Sequence, residues 1–126
     1  MNCEVGFSVE DGILGVRVTG RVDQRTWRDL ISKTATAARE NNYLRHLVDY
    51  RDAEISLDPR HVVGRIDDYE MAGMLRGSRI ALILSHRHRS VAVDAVIQAL
   101  GEQHYRVLTF HDPVVARLWL LSAGSD

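Results

Sequence analysis

The chain is short of cysteine, proline and aromatic residues, and it carries almost no net charge. Its single cysteine, Cys3, cannot form an internal disulfide, which excludes a small scaffold stapled by disulfides. Only two prolines and no low-complexity stretch occur in 126 residues, so no interdomain linker is expected and residues 1–126 read as one domain. Lysine and arginine number 16 against 17 acidic residues. That balance offers neither a basic face for nucleic acid nor an acidic tail. The longest apolar strings, such as Ile80 to Leu84, fall far below the ~20 residues that a membrane-spanning helix requires. The first residues lack a basic segment followed by a long apolar run. A secretory leader is therefore not expected, and a cytoplasmic location without membrane insertion is.

What is present is globular composition, 45% hydrophobic and 26% charged, well away from the disordered regime. Val5, Phe7 and Val9 alternate with small or polar residues, as do Leu14, Val16 and Val18. Period two means strand, and Asp11-Gly12 between them is a tight-turn pair. A hairpin over residues 4 to 19 is predicted, closed by Gly20. Asp23 then supplies a helix cap. Trp27, Leu30, Ile31, Thr34, Ala35 and Ala38 fall on one helical stripe, which ends near Asn41-Asn42. Leu44 to Tyr50 reads as a strand.

Asp58-Pro59 is a helix start, a capping carboxylate followed by proline at the first helical position. The helix it opens, about Pro59 to Met74, carries Val62, Val63, Ile66, Tyr69 and Met74 on its apolar face. Ile80 to Leu84 is an uninterrupted apolar run, expected to be a strand covered on both faces. A helix follows from about His88 to Glu102, then a strand from Tyr105 to Phe110. Asp112-Pro113 repeats the start signal for a last helix bearing Val115, Leu118, Trp119 and Leu120. The order β-β-α-β-α-β-α-β-α predicts an α/β fold with a mixed, largely parallel sheet and right-handed crossovers.

This pattern resembles the SpoIIAA-like branch of the STAS superfamily. The resemblance is carried by Val16-Arg17-Val18-Thr19-Gly20 leading to Trp27, by Leu47-Val48-Asp49-Tyr50-Arg51-Asp52-Ala53, by Ile80 to Leu84, and by Phe110-His111-Asp112 before Ala116-Arg117-Leu118-Trp119-Leu120. It implies one sheet with helices packed mainly on one side and no settled enzymatic activity. It also implies a role as a phosphorylation-switched partner of an anti-sigma factor or as a binding module for small or apolar ligands. The phosphorylated family string is Asp-Ser-Ser/Thr-Gly after the third strand. Here Ile55-Ser56-Leu57-Asp58-Pro59 stands in its place, so Ser56 is the nearest hydroxyl and the flanking residues are missing.

In open α/β sheets, ligands meet the carboxyl ends of parallel strands. Three polar segments are expected there: Asp49 to Glu54, Ser85 to Ser90, and His111-Asp112. Ser85, His86, Arg87 and His88 form the most unusual string. Two arginines beside a helix start favour an anion, whereas a glycine-rich phosphate cradle is missing. With Asp49, Arg51 and His111 they make the candidate ligand site. The bland alternative is a solvated loop, with Asp49, Arg51 and Asp52 paired locally.

His86, His88, His111 and Asp52 do not amount to a metal site, since four aimed ligands are needed and His-x-His spacing alone is weak. No cofactor is expected. Trp27 and Trp119 read as core, and His46 as edge-exposed. Ile66, Tyr69, Met71, Met74 and Leu75 exceed what one buried stripe requires, which marks a partner or dimer surface. The sequence therefore points to a non-catalytic regulatory or ligand-binding module that engages a protein partner or a small, partly apolar anion. An enzyme using Asp49, Asp52, His86 or His111 as acid or base is the alternative. A second alternative is an anti-sigma-factor antagonist switched by phosphorylation at Ser56.

Overall fold

The structure, a computed structural model, describes residues 4–56, 77–85 and 106–122. The expected helices at 59–74 and 88–102 lie outside the described residues. With them go the predicted surface of Ile66, Tyr69, Met71, Met74 and Leu75, and the string His86, Arg87 and His88.

Among the described residues five strands form one sheet in the order β1 (Glu4–Glu10), β2 (Ile13–Val22), β3 (Arg45–Ile55), β4 (Arg79–Ile83) and β5 (Arg106–Phe110). β1 runs antiparallel to β2, and every later pairing is parallel. The hairpin turn is the two-residue loop Asp11-Gly12, closed by the pair Glu10 and Ile13. Both turn residues have positive φ, 54° and 75°. That conformation matches the right-handed twist of the flanking strands, and aspartate followed by glycine adopts it readily.

Helix α1 (Gln24–Asn41) starts where Asp23 accepts the backbone N–H of Thr26 at 2.9 Å, while the Thr26 hydroxyl accepts the Asp23 N–H at 2.8 Å. The Thr26 hydrogen bonds hold the Asp23 carboxyl below its ordinary pKa. The predicted stripe is the buried face: Trp27, Leu30, Ile31, Thr34, Ala35 and Ala38. It packs on Leu14, Val16, Val18, Val48, Ile80, Leu82 and Val107. Alternate residues of the same strands, Ile13, Leu47, Ala81, Ile83 and Phe110, face the other way and meet α2 (Pro113–Leu121) through Ala116, Trp119 and Leu120. β4 is thus buried on both faces, as an unbroken apolar strand should be. The two described helices divide between the faces of the sheet. α2 is capped by Asp112, which accepts the Val114 N–H at 2.8 Å with Pro113 in the first turn.

Two expectations need correction. β3 does not stop at Tyr50 but continues to Ile55, because β2 is long enough to pair with it as far as Val22. In α2, Val115 and Leu118 are 50% and 64% exposed, since the helix seats on Ala116 and Leu120, one turn apart. His46 is not at an exposed edge. It is 1% exposed, because it falls on the α1 side of β3 between Leu14 and Ile80, and its Nε2–H donates to the Tyr43 carbonyl at 3.0 Å.

Candidate functional site at the carboxyl rim of the sheet

The parallel strands β2 to β5 end at a common rim. β3 carries the most chemistry there, and an irregularity in its pairing explains why. Up to Arg17 opposite Asp49 the register with β2 is regular. The next pair is Thr19 opposite Asp52, so β3 holds one extra residue. Before the bulge, Asp49 lies on the α2 face with Leu47. After it, Ala53 and Ile55 return to the α1 core opposite Gly20 and Val22. Asp52, three residues from Asp49, therefore lies on the same face as Asp49 and Arg17. Simple alternation would have sent it to the opposite face.

The consequence is two adjacent ion pairs. Arg51 grips Asp49 with two parallel bonds, Nε to Oδ1 at 3.0 Å and Nη2 to Oδ2 at 2.8 Å, and its backbone N–H adds a third at 3.0 Å. Arg17 reaches across from β2 to Asp52 at 2.8 Å. Burial pushes the Asp49 carboxyl up. The hydrogen bonds from Arg51, with the charges of Arg51 and Arg17, outweigh it and hold Asp49 below the ordinary carboxylate range. The Asp49 bond, and then the Asp49, Asp52 and Asp112 charges, raise Arg51 above its ordinary value despite some desolvation. Asp112, the α2 cap, thus belongs to the same electrostatic cluster.

β4 and β5 supply the neighbouring positions. The Leu84 N–H donates to the Phe110 carbonyl at 2.9 Å. His111 Nδ1–H donates to the Leu84 carbonyl at 2.8 Å, which requires a proton on Nδ1 and orients the ring along the rim. Ser85 follows directly and is half-buried. Of the residues singled out from sequence, the structure brings Asp49, Arg51, Asp52, Ser85, His111 and Asp112 to this rim. Ser56 directly follows β3, exposed, with its hydroxyl 3.5 Å from Arg21 Nη2 and its N–H bonded to the Val22 carbonyl at 2.7 Å.

Sequence reasoning missed Arg17 and Arg21. Both sit at polar positions of an alternating strand, and nothing in the periodicity distinguishes them from ordinary solvated residues. Among the described residues no group of three or more histidine, cysteine or acidic side chains is placed to hold a metal ion. No described helix is long and apolar enough to cross a membrane.

The architecture matches known structures over nearly the whole chain. An anti-sigma factor antagonist from Mycobacterium paratuberculosis superposes with a TM-score of 0.59 at 14% identity, covering 96% of each chain. An uncharacterised protein from Shewanella loihica with a SpoIIAA-like fold superposes with a TM-score of 0.53 at 14% identity, covering 94% of this chain and 93% of that one. The chain has a SpoIIAA-like fold. The anti-sigma factor antagonist SpoIIAA in its unphosphorylated form is similar at 15% identity and a TM-score of 0.50, over 92% of this chain and 98% of that one. No family model matches the sequence, and no curated protein does. At these identities the likeness is one of fold.

Proposed function

We propose that this SpoIIAA-like domain is a non-catalytic regulatory module that binds a protein partner through the carboxyl rim of its sheet. The observation that carries the reading is the β3 bulge, which gathers Arg17, Asp49, Arg51 and Asp52 on one side of the rim. Bulges re-aim side chains at functional edges. Alternating exposed charges of both signs suit recognition by a partner of complementary pattern, where they set specificity and association rate. The two anti-sigma factor antagonists among the structural neighbours support a regulatory role rather than an enzymatic one. A small, partly apolar anion beside Ser85 and His111 is the other ligand this rim would admit.

The test is charge reversal on a folded protein. Arg17→Glu with Arg51→Glu should abolish cross-linking of a partner at the rim, while Arg25→Glu on the solvent side of α1 leaves it intact. Equal partner capture by both variants would remove the rim from consideration. A specific contact favours one second reading, phosphorylation of Ser56. The Arg21 guanidinium at 3.5 Å is placed to take a phosphoryl group. Intact-mass measurement after incubation with a cognate kinase, with Ser56→Ala as the control, decides it.

A further inference from the structure

The opposite rim, where the parallel strands begin, carries a feature that no protein-binding role requires. Arg45, Arg79 and Arg106 are the first residues of β3, β4 and β5. They stand in register with one another. All three therefore fall on one face of the sheet, the α2 face, at spacings of about 4.8 Å from strand to strand. Like charges placed directly opposite one another on neighbouring strands are destabilising.

The nearby acids do not relieve the first two. Glu10 and Asp11, at the hairpin turn on the same rim, are both held by Arg117 of α2. Arg79 is fixed in place: its guanidinium donates to the Ser122 carbonyl at 2.9 Å and to the Ser122 hydroxyl at 3.3 Å, and it lies 4.6 Å over the Trp119 ring. It has no carboxylate partner among the described residues. Arg45 has neither a hydrogen-bond nor an ion-pair partner among them.

Between these two arginines lies a cavity of about 320 Å³, lined by Gly12, Asn42, Leu44, Arg45, Gly77 and Arg79. Gly12 and Gly77 both have positive φ, and a methyl group added at either would meet nothing within 4 Å. The floor of the cavity is thus open backbone, reachable by a small molecule, and exposed Leu44 offers one apolar wall.

We propose that this amino-end cavity binds a small oxyanion, a phosphate or carboxylate group, between Arg45 and Arg79. Arg79 is held rigid by α2 and supplies a fixed positive charge. Arg45 swings onto the anion and closes it with paired N–H bonds, the geometry guanidinium groups favour with both oxyanions. This site is independent of the carboxyl rim and lies at the other end of the strands.

The experiment uses the full chain, labelled with ¹⁵N at low ionic strength, titrated separately with inorganic phosphate and with butyrate. The expected result is a saturable shift of the Gly12, Arg45 and Gly77 amides, with Arg51 and His111 unmoved. Saturation by phosphate alone assigns a phosphate ligand, and saturation by butyrate alone a carboxylate. Arg45→Gln should weaken binding by about tenfold or more, the usual scale for a lost charge-assisted bond, and Arg45→Lys should recover part of it. Arg25→Gln, on α1, should bind as the unaltered chain does. No saturable shift with either probe, undiminished binding in Arg45→Gln, or shifts centred on Arg51 and His111 would each overturn the assignment.

Discussion

His46 makes the stability of this domain depend on pH in a way that one substitution should remove. The ring is buried among Leu30, Ile31, Thr34, Val48, Tyr50, Ile80 and Leu82 around a cavity of about 30 Å³, with no charged side chain among the described residues of that lining. Burial disfavours the imidazolium and lowers its pKa below 6.5, against a smaller opposing contribution from the Tyr43 carbonyl. The folded protein therefore holds this histidine neutral, while the unfolded chain protonates it near its ordinary value. Between the lowered folded pKa and 6.5 the unfolded state binds more protons, so stability rises with pH through that window. The contribution is complete above about 6.5 and is lost as pH falls toward the folded pKa, at up to ~1.4 kcal/mol per pH unit.

His46→Leu removes the titrating group and fills the site with an apolar side chain. It leaves the Tyr43 carbonyl without its donor, a cost of about 1–3 kcal/mol offset in part by the gain in apolar burial. Urea unfolding followed by circular dichroism at steps from about pH 7.5 to about pH 5 reads both effects. The unaltered chain should lose stability steeply below about 6.5, and His46→Leu should be much flatter over the same range. The same slope in both proteins would refute the buried, neutral histidine and the β3 register that puts it there.

Two further predictions concern the α2 face. Leu120→Ala should cost about 2–5 kcal/mol by leaving a cavity beneath α2. Leu118→Ala, two residues earlier but exposed, should stay within about 0.5 kcal/mol; chemical denaturation separates the two. Arg117→Ala should cut the tie between α2 and the hairpin turn, lowering stability by no more than ~1 kcal/mol at low salt. Added salt should shrink the difference between the two proteins, and a difference that grows with salt would contradict an ionic tie.

How much of this was legible in the sequence follows from the range of each signal. Local signals carried through: Asp11-Gly12 gave the hairpin turn, Asp23 and Asp112-Pro113 gave the starts of the two described helices, and the α1 stripe matched its buried face residue for residue. These depend on chemistry within one or two turns of chain. Signals that depend on register between distant strands were invisible. The β3 bulge shifts Asp52 onto the face of Asp49 and Arg17, and no pattern within residues 45–55 announces the extra residue.

The same reason hid the alignment of Arg45, Arg79 and Arg106, which exists only once three strands are laid side by side. His46 was misread because it begins a strand, where alternation has too few residues to fix the inward side. Which side of α2 meets the sheet was not legible either: small Ala116, rather than the larger Val115 and Leu118, lets α2 approach it.

Central to the account is a parallel arrangement of β3, β4 and β5 that brings Arg51, Ser85 and His111 to one rim. A nitroxide on Ser85→Cys, with Cys3→Ser to remove the native thiol, measures this directly by relaxation of backbone amide signals. The Arg51 and His111 amides, one strand away on either side, should be broadened strongly, and those of Gly12 and Gly77 at the far ends of the strands much less. Strong broadening at Gly12 and Gly77 with sharp Arg51 and His111 signals would contradict the parallel order and the rim built on it.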